Sequence, residues 1–300
     1  MTKSPSRLWV WLQLLRAPNL FTVPGDPIAG YLLANSGFSD YTLALVAGAS
    51  LCFYGAGLLM NDMVDLAEDL AERPNRPLPA GHAKPSTVRN ALWALNGTGL
   101  LLLMGTGGSA VVLAGIGTVI AVWSYNRLTK RLPVIGALNM GLCRALSVMI
   151  GAFAGPSPSG AMMSVVIALV IGLFIAAVTN LARFETRERV PWSARLLPIF
   201  PLIAGALFGV KNSLYSPDKM PAVLIFILPV IGAALLLKRL LVNPPSPLPP
   251  IIGAHIRLLL PLQAAVCWFG ASQELGPACA IILLALWPVS RLVSKRFYAS

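Results

Sequence analysis

Apolar residues in this chain gather into blocks rather than amphipathic stripes. The segments 42–60, 87–105, 108–124, 134–154, 161–181, 193–210 and 221–241 are each predominantly apolar, and each has about the 20-residue length a helix needs to cross a ~30 Å hydrocarbon layer. Blocks at 251–270 and 276–294, and one broken by prolines at 14–34, bring the predicted spans to ten. Lipid offers no hydrogen bonds to a backbone, and no strand-like alternation is visible, so the spans are predicted to be helices. The predicted fold class is all-α: a polytopic membrane helical bundle of about 9–10 transmembrane helices around a central cavity, forming a single domain over residues 1–300. Residues 1–13 read as an interfacial N-terminal segment. Lys3 and Arg7 precede apolar residues as in a signal peptide, but no small-x-small cleavage site follows, and Arg16 interrupts the run. The first span carries Pro18, Pro24, Asp26 and Pro27, which predicts a kinked helix lined by protein or water.

Composition agrees with this reading, since 56% of residues are hydrophobic and only 11% charged, against about 25% charged in soluble domains. The net charge of +12 changes the picture only through its distribution. Of the 23 Lys and Arg residues, Lys211 and Lys219 alone fall in odd-numbered connections and Arg144 lies inside a span. The remainder lie in or beside the N-terminus, the even connections and the C-terminus, with Arg257 the loosest fit. The positive-inside rule then places both termini and the even connections in the cytoplasm of a cell-membrane protein. The basic excess therefore points to the lipid bilayer as partner and not to nucleic acid, because no basic patch interleaved with stacking aromatics occurs. Trp9, Trp11, Trp123 and Trp192 fall near span ends, as interfacial anchors do. The four cysteines form no C-x-x-C pattern and are expected to be buried and inert; with only His82 and His255 beside them, a zinc site is not expected.

One stretch departs from the general avoidance of charge: NDMVDLAEDLAERPNRPLPAG, residues 61–81. If the second span continues as helix, Asp62, Asp65 and Asp69 fall within about 40–100° of Asn61 around the axis and share one face. Crowded carboxylates at the negative end of a helix, on the side where lysine and arginine are usual, are unfavourable unless a cation neutralises them. Carboxylate oxygens without histidine or cysteine suit Mg2+, commonly held by one or two carboxylates together with substrate phosphate oxygens. Pro74, Pro77 and Pro79 stiffen the loop that follows, so Arg73 and Arg76 either present guanidinium groups to a phosphate or serve as ordinary positive-inside residues.

These residues resemble a known family. Asn61-Asp62-x-x-Asp65-x-x-x-Asp69 at the end of a second transmembrane helix, followed by R-P-x-R-P-L-P-x-G, is similar to the first aspartate-rich motif of the UbiA superfamily of intramembrane prenyltransferases. Y-N-R-L-T-K-R follows the fourth span, where that family usually carries Tyr-x-x-x-Lys; here one extra residue separates Tyr125 from Lys130. The run N-M-G-L-C-R-A-L-S-V-M-I-G at 139–151 and the ending S-R-L-V-S-K-R-F resemble an EboC-type subgroup. The resemblance implies a helical bundle whose cavity opens to the cytoplasm and sideways to lipid. It also implies that magnesium ions grip an isoprenyl diphosphate, its C–O bond ionises, and the allylic cation alkylates a small acceptor. By residue, it assigns Asn61, Asp62, Asp65 and Asp69 to Mg2+, Arg76 and Lys130 to the diphosphate, and Tyr125 to the leaving group.

The family's second aspartate motif, at the end of the sixth helix, is replaced here by T-N-L-A-R-F-E-T-R-E-R, residues 179–189. Asn180, Arg183 and Arg187 then take the i, i+3 and i+7 positions. The expectation is that Arg183 and Arg187 bind diphosphate in place of a second magnesium shell, with Glu185 as base or single ligand; the alternative is that Arg187 merely anchors the cytoplasmic loop. Arg144, well inside a span, costs roughly 2.5–3.5 kcal/mol if unpaired. It either reads acceptor or phosphate, with Asn139 sharing its cavity, or pairs with a buried polar group such as Asp26. Two other functions compete. An isoprenoid-lipid carrier or flippase would have little use for three crowded carboxylates, and phosphatidyl transfer normally needs a D-G-x-x-A-R signature that is absent. The altered sixth-helix motif suggests an acceptor other than a quinone precursor, such as a polar cyclic alcohol.

Overall fold

The computed structural model describes residues 5–34, 39–155, 161–185, 187, 189–213, 216–242, 247–270 and 275–297. Its helices are α1 Arg7–Leu14, α2 Ala17–Leu20, α3 Gly25–Ala34, α4 Asp40–Val64, α5 Leu66–Glu72, α6 Pro85–Met104, α7 Ser109–Ser124, α8 Pro133–Phe153, α9 Ala161–Ala182, α10 Trp192–Leu196, α11 Ile199–Ser213, α12 Met220–Leu241, α13 Leu248–Arg257, α14 Leu259–Gly270 and α15 Leu275–Val293. A π-helical turn, Tyr125–Thr129, extends α7, and a short 3-10 turn, Pro217–Lys219, precedes α12. No strand occurs among the described residues, as the block pattern predicts, and the chain is a multi-pass membrane protein.

Eight segments of the described chain are long and apolar enough to cross a membrane, which amends the ten predicted spans. The 14–34 block is not one crossing helix: the chain breaks between α2 and α3 at Phe21–Pro24, where Pro24 and Pro27 remove backbone donors. The 87–105 block does form a helix, α6, but Arg89, Asn90 and Asn96 make its first half polar. The 251–270 block is likewise broken, into α13 and α14, at Leu258.

Burial separates the helices by role. The Leu248–Gly270 segment is 78% buried and runs through the middle of the bundle, whereas Leu275–Val293 is 22% buried and turns leucine and isoleucine outward. The largest core joins α3, α8, α9 and α11–α14 around Leu32, Phe174, Phe226 and Leu259. A second cluster, centred on Phe53, joins α4, α6, α7 and α8. Because lipid is as apolar as the side chains, close van der Waals packing and small residues hold such helices together. The tightest instance is α3 on α8: a Cβ on Gly151 would lie 1.8 Å from the Pro27 carbonyl oxygen, and one on Gly30 would lie 2.0 Å from that of Val148. Glycine at both positions lets the broken first segment press on α8, bringing Asp26 to the level of Arg144.

Interfacial anchoring is visible in the aromatics. Trp123 and Trp192 are exposed, with Arg127 and Arg195 stacked on them. Trp9 of α1 packs its ring 4.3 Å from that of Phe297, just beyond α15, so the two ends of the described chain share one face of the bundle. Only Cys267 among the four cysteines is fully buried; the other three are half-buried, and none of the four forms a disulfide.

Candidate active site

The acidic stretch keeps a continuous helical register. α4 ends at Val64 and α5 begins at Leu66, but the ladder persists: Asp65 N–H donates to the Asn61 carbonyl at 2.9 Å, Asp69 to Asp65 at 2.8 Å and Arg73 to Asp69 at 2.9 Å. Leu66, Ala67, Leu70 and Ala71 favour the continuation and Pro74 ends it. Asp62, Asp65 and Asp69 therefore all turn inward, and Asp69 is only 4% exposed, while Glu68 lies at the rim beside Arg131.

Each inward carboxylate has its own cation, drawn from a different part of the chain. Arg16, between α1 and α2, reaches Asp62 at 3.5 Å. Arg76, from the proline-rich loop, points one guanidinium nitrogen at both oxygens of Asp69, at 2.8 and 3.1 Å. Lys130 pairs with Asp65 and also donates to the Asn61 side-chain oxygen at 2.9 Å, and Asn61 in turn donates to Asp65 at 3.0 Å. The crowding seen in the sequence is thus relieved within the protein. Among the described residues no three acidic, histidine or cysteine side chains converge on one point.

Lys130 reaches this position because of the π-turn. Its N–H donates to the Tyr125 carbonyl at 2.9 Å, an i→i+5 bond. Such a turn accommodates one extra residue, so Tyr125 and Lys130 regain the stacking that an i, i+4 pair has in an ordinary helix. The turn is braced by Asn139 of α8. Its amide oxygen accepts from the Tyr125 N–H and the Ser124 hydroxyl, both at 3.1 Å, and from Thr129 at 2.9 Å, while its nitrogen donates to the Ala121 carbonyl at 3.1 Å. Asn139 therefore positions the turn and does not line the cavity shared by Tyr125 and Arg144.

That cavity, about 150 Å3, lies between α4, α7 with its π-turn, α8 and the link between α2 and α3, and is walled chiefly by apolar groups, with Arg16, Asn61, Tyr125 and Arg144 among its polar points. A polar mouth of about 470 Å3 is lined by Arg16, Asp62, Arg73, Arg76 and Glu185. Arg16 lines both, so it stands where the polar and apolar spaces meet. It is missing from the sequence-derived site, where it figures only as an interruption of an apolar run. Its backbone is the one non-glycine with positive φ among the described residues, at 44°. A strained left-handed residue at a cleft is a functional signal, but it is invisible before the fold is known.

Arg144 combines both expectations. It pairs with the fully buried Asp26 (Nε to Oδ2, 2.8 Å) and donates to the Thr22 carbonyl at 2.9 Å. Gln263 of α14 completes the cluster, donating to Asp26 at 2.6 Å and to Thr22 at 2.7 Å. Arg144 thus makes the structural pair with Asp26 and also borders the cavity in which a substrate-reading role is expected. Asp26 and Gln263 are further members that sequence reasoning left out of the site.

The sixth-helix segment does not keep its register. α9 stops at Ala182 and the chain tightens: Phe184 N–H donates to Leu181, Glu185 to Ala182 and Arg187 to Phe184, each an i→i+3 bond of 3.0–3.1 Å. Asn180 is half-buried near the end of α9. Arg183 is half-buried in the turn and lines neither the cavity nor the mouth. Glu185 lines the mouth. Arg187 is exposed and stacks over the Phe184 ring, 5.4 Å from its centroid. Arg183 and Arg187 therefore do not share a helical face, because the i+7 position requires a helix and the helix has ended.

Comparison with known proteins agrees with the fold. The chain is 28% identical over 151 residues to digeranylgeranylglyceryl phosphate synthase of Sulfolobus acidocaldarius, covering 50% of this chain and 54% of that protein. It is 31% identical over 202 residues to protoheme IX farnesyltransferase of Yersinia pseudotuberculosis, covering 65% and 66%. The chain spans about half the length of the first of these relatives. In structure it is similar to a UbiA homologue from Archaeoglobus fulgidus bound to DMAPP and Mg2+, with TM-score 0.58, 15% identity and coverage of 92% of this chain and 99% of that one. The model of the UbiA prenyltransferase family matches residues 27–258, most of the bundle and both stretches that carry the acids and Lys130, and the chain belongs to that family.

Proposed function

We propose that the protein is a magnesium-dependent intramembrane prenyltransferase, moving an isoprenyl group from a prenyl diphosphate to a small acceptor. The observation that carries this reading is the join at Arg16. Arg16 lines both a mouth holding acids and guanidinium groups and an apolar cavity, a juxtaposition that fits a molecule with a charged head and an oily tail. The names of both relatives and the Mg2+ and DMAPP of the Archaeoglobus fulgidus homologue support it.

The donor set fits Mg2+ by its chemistry. Asn61, Asp62, Asp65 and Asp69 offer hard oxygens with no competing soft ligand, and because no three acids converge among the described residues, each ion would be held by one or two of them together with diphosphate oxygens. When bound, Mg2+ supplies Lewis-acid stabilisation of the departing diphosphate. Arg16, Lys130 and Arg76, now paired with the acids, then turn toward phosphate oxygens. The Tyr125 hydroxyl borders the place where the prenyl C–O bond breaks. The pyrophosphate leaves with the bonding electron pair, the allylic carbon bonds to the acceptor's nucleophilic atom, and Glu185 at the mouth takes the acceptor's proton. Apolar walls, Phe53 among them, exclude water that would capture the cation. The charge asymmetry supports a mouth on the cytoplasmic side of the cell membrane, and the altered sixth-helix segment favours an acceptor such as a polar cyclic alcohol.

Incubating purified protein with radiolabelled prenyl diphosphates, with and without Mg2+, tests the proposal. Metal-dependent pyrophosphate release supports it; isoprenoid movement across vesicles without release makes the protein a carrier. An Arg144→Lys variant with unchanged turnover limits Arg144 to the Asp26 pair.

A further inference from the structure

A second cavity, about 570 Å3, lies among α12, α13 and α15 and shares no lining residue with the site above. Four of its lining residues are cationic: Arg239, Arg257, Arg291 and Lys295. Every ion pair among the described residues uses Asp26, Asp62, Asp65, Glu68 or Asp69, and none of these lies here. Arg257 is the informative member. It ends the ten-residue α13, inside a segment long and apolar enough to cross the membrane, and it is half-buried. Arg144, likewise near the middle of a span, has Asp26, whereas Arg257 has no acidic partner within 4 Å among the described residues. Charged side chains within the membrane pair or face a polar cavity, and among the described residues nothing supplies the counter-charge of Arg257.

The shape of the cavity says what carries it. α12 closes on the break at Leu258, where a Cβ on Gly232 would lie 2.5 Å from the leucine methyl; beyond that contact the helices part. The opening faces outward, since Leu235 on its rim is 60% exposed on the lipid side, and Trp287 supplies an aromatic wall of the kind found at headgroup level. The ring contact of Trp9 with Phe297 puts this end of α15 on the same face as α1 and the polar mouth. Basic pockets between transmembrane helices, with apolar sides open to lipid, suit an anionic headgroup with its acyl chains still in the bilayer.

We infer that this cavity binds the phosphate headgroup of an anionic glycerophospholipid from the surrounding leaflet. The lipid neutralises Arg257 and Arg291 and ties α12, α13 and α15 together at the break. The active site does not depend on it for chemistry, so the inference stands whether or not the protein transfers prenyl groups.

The test uses the full chain, purified in neutral detergent and delipidated. Short-chain phosphatidylglycerol or phosphatidylcholine is titrated while thermal unfolding is followed, and native mass spectrometry counts retained lipids. Phosphatidylglycerol is expected to raise the midpoint and to remain bound one per chain, with phosphatidylcholine doing neither. Arg291→Gln, at an exposed position, is expected to weaken phosphatidylglycerol about fivefold, and Arg257→Gln with Arg291→Gln by more than tenfold; Arg257→Lys restores most of the preference. Equal response to the two lipids, or an unchanged preference in Arg291→Gln, overturns the proposal. So does full stabilisation by inorganic phosphate or pyrophosphate alone, which would make the cavity a site for a soluble anion.

Discussion

At the end of α4 the backbone ladder passes through Asp65 into α5, and positions i, i+3 and i+7 stay on one inward face. At the end of α9 the same spacing is written as Asn180, Arg183 and Arg187, but the chain tightens into i→i+3 turns after Ala182 and the third position swings out to stack on Phe184. Side-chain spacing confers a shared face only while the helix lasts. The first segment continues through leucine and alanine; the second meets Phe184, Thr186 and Val190, then Pro191, which disfavours helix in the residue before it. The result is an asymmetric mouth, to which the first helix end and its loop contribute Asp62, Arg73 and Arg76 and the second a single acid, Glu185.

The largest expected effects lie at the first helix end. Asp62→Asn and Asp65→Asn should each lower pyrophosphate release from a prenyl diphosphate by about 10²–10³-fold, as losses of preorganised charge stabilisation do. A loss of less than threefold would put the chemistry elsewhere. Next comes the Asp69–Arg76 pair, whose two partners touch: single variants Asp69→Asn and Arg76→Gln should fall by roughly 10–100-fold, and the double variant should be non-additive by about 0.5–3 kcal/mol in a mutant cycle. Strict additivity would mean that they act separately. Shortening the π-turn by deleting Leu128 should move Lys130 away from Asp65 and cost about 10²-fold, as a misplacement of about 1 Å near the reacting atoms does; retained activity would make the extra residue incidental. Glu185→Gln should reduce turnover by about tenfold or more if it takes the acceptor's proton, since general bases contribute roughly 10²–10⁴-fold, while prenyl diphosphate binding stays unchanged. Smallest of all is Arg187→Gln, an exposed site expected to change stability by no more than about 0.5 kcal/mol and activity not measurably. An Arg187 variant as impaired as Asp62→Asn would restore the reading of the second helix end as a phosphate clamp.

Stability offers one check outside the mouth. Arg144→Gln leaves Asp26 buried without its cation, a change that typically costs 3–5 kcal/mol, and thermal unfolding in detergent should show it. Gln263→Leu, which removes hydrogen bonds to Asp26 and to the Thr22 carbonyl but no charge, should cost less.

Much of the molecule could be read from the order of its residues. Blocks of apolar side chains imply membrane helices because a hydrocarbon layer rewards length and apolarity regardless of what the helix packs against. The acids at 62, 65 and 69 share a face because helical geometry is local. Proline at 24 and 27 marks a break for the same reason, as a missing donor acts within one turn. What required the folded chain is every pairing across distance. Arg16 finds Asp62, Lys130 finds Asp65 through a π-turn that absorbs one residue, and Arg144 finds Asp26 because Gly30 and Gly151 let α3 and α8 touch. Such partnerships depend on how separate helices dock, and docking in lipid is decided by surface fit, which no spacing along a single chain encodes.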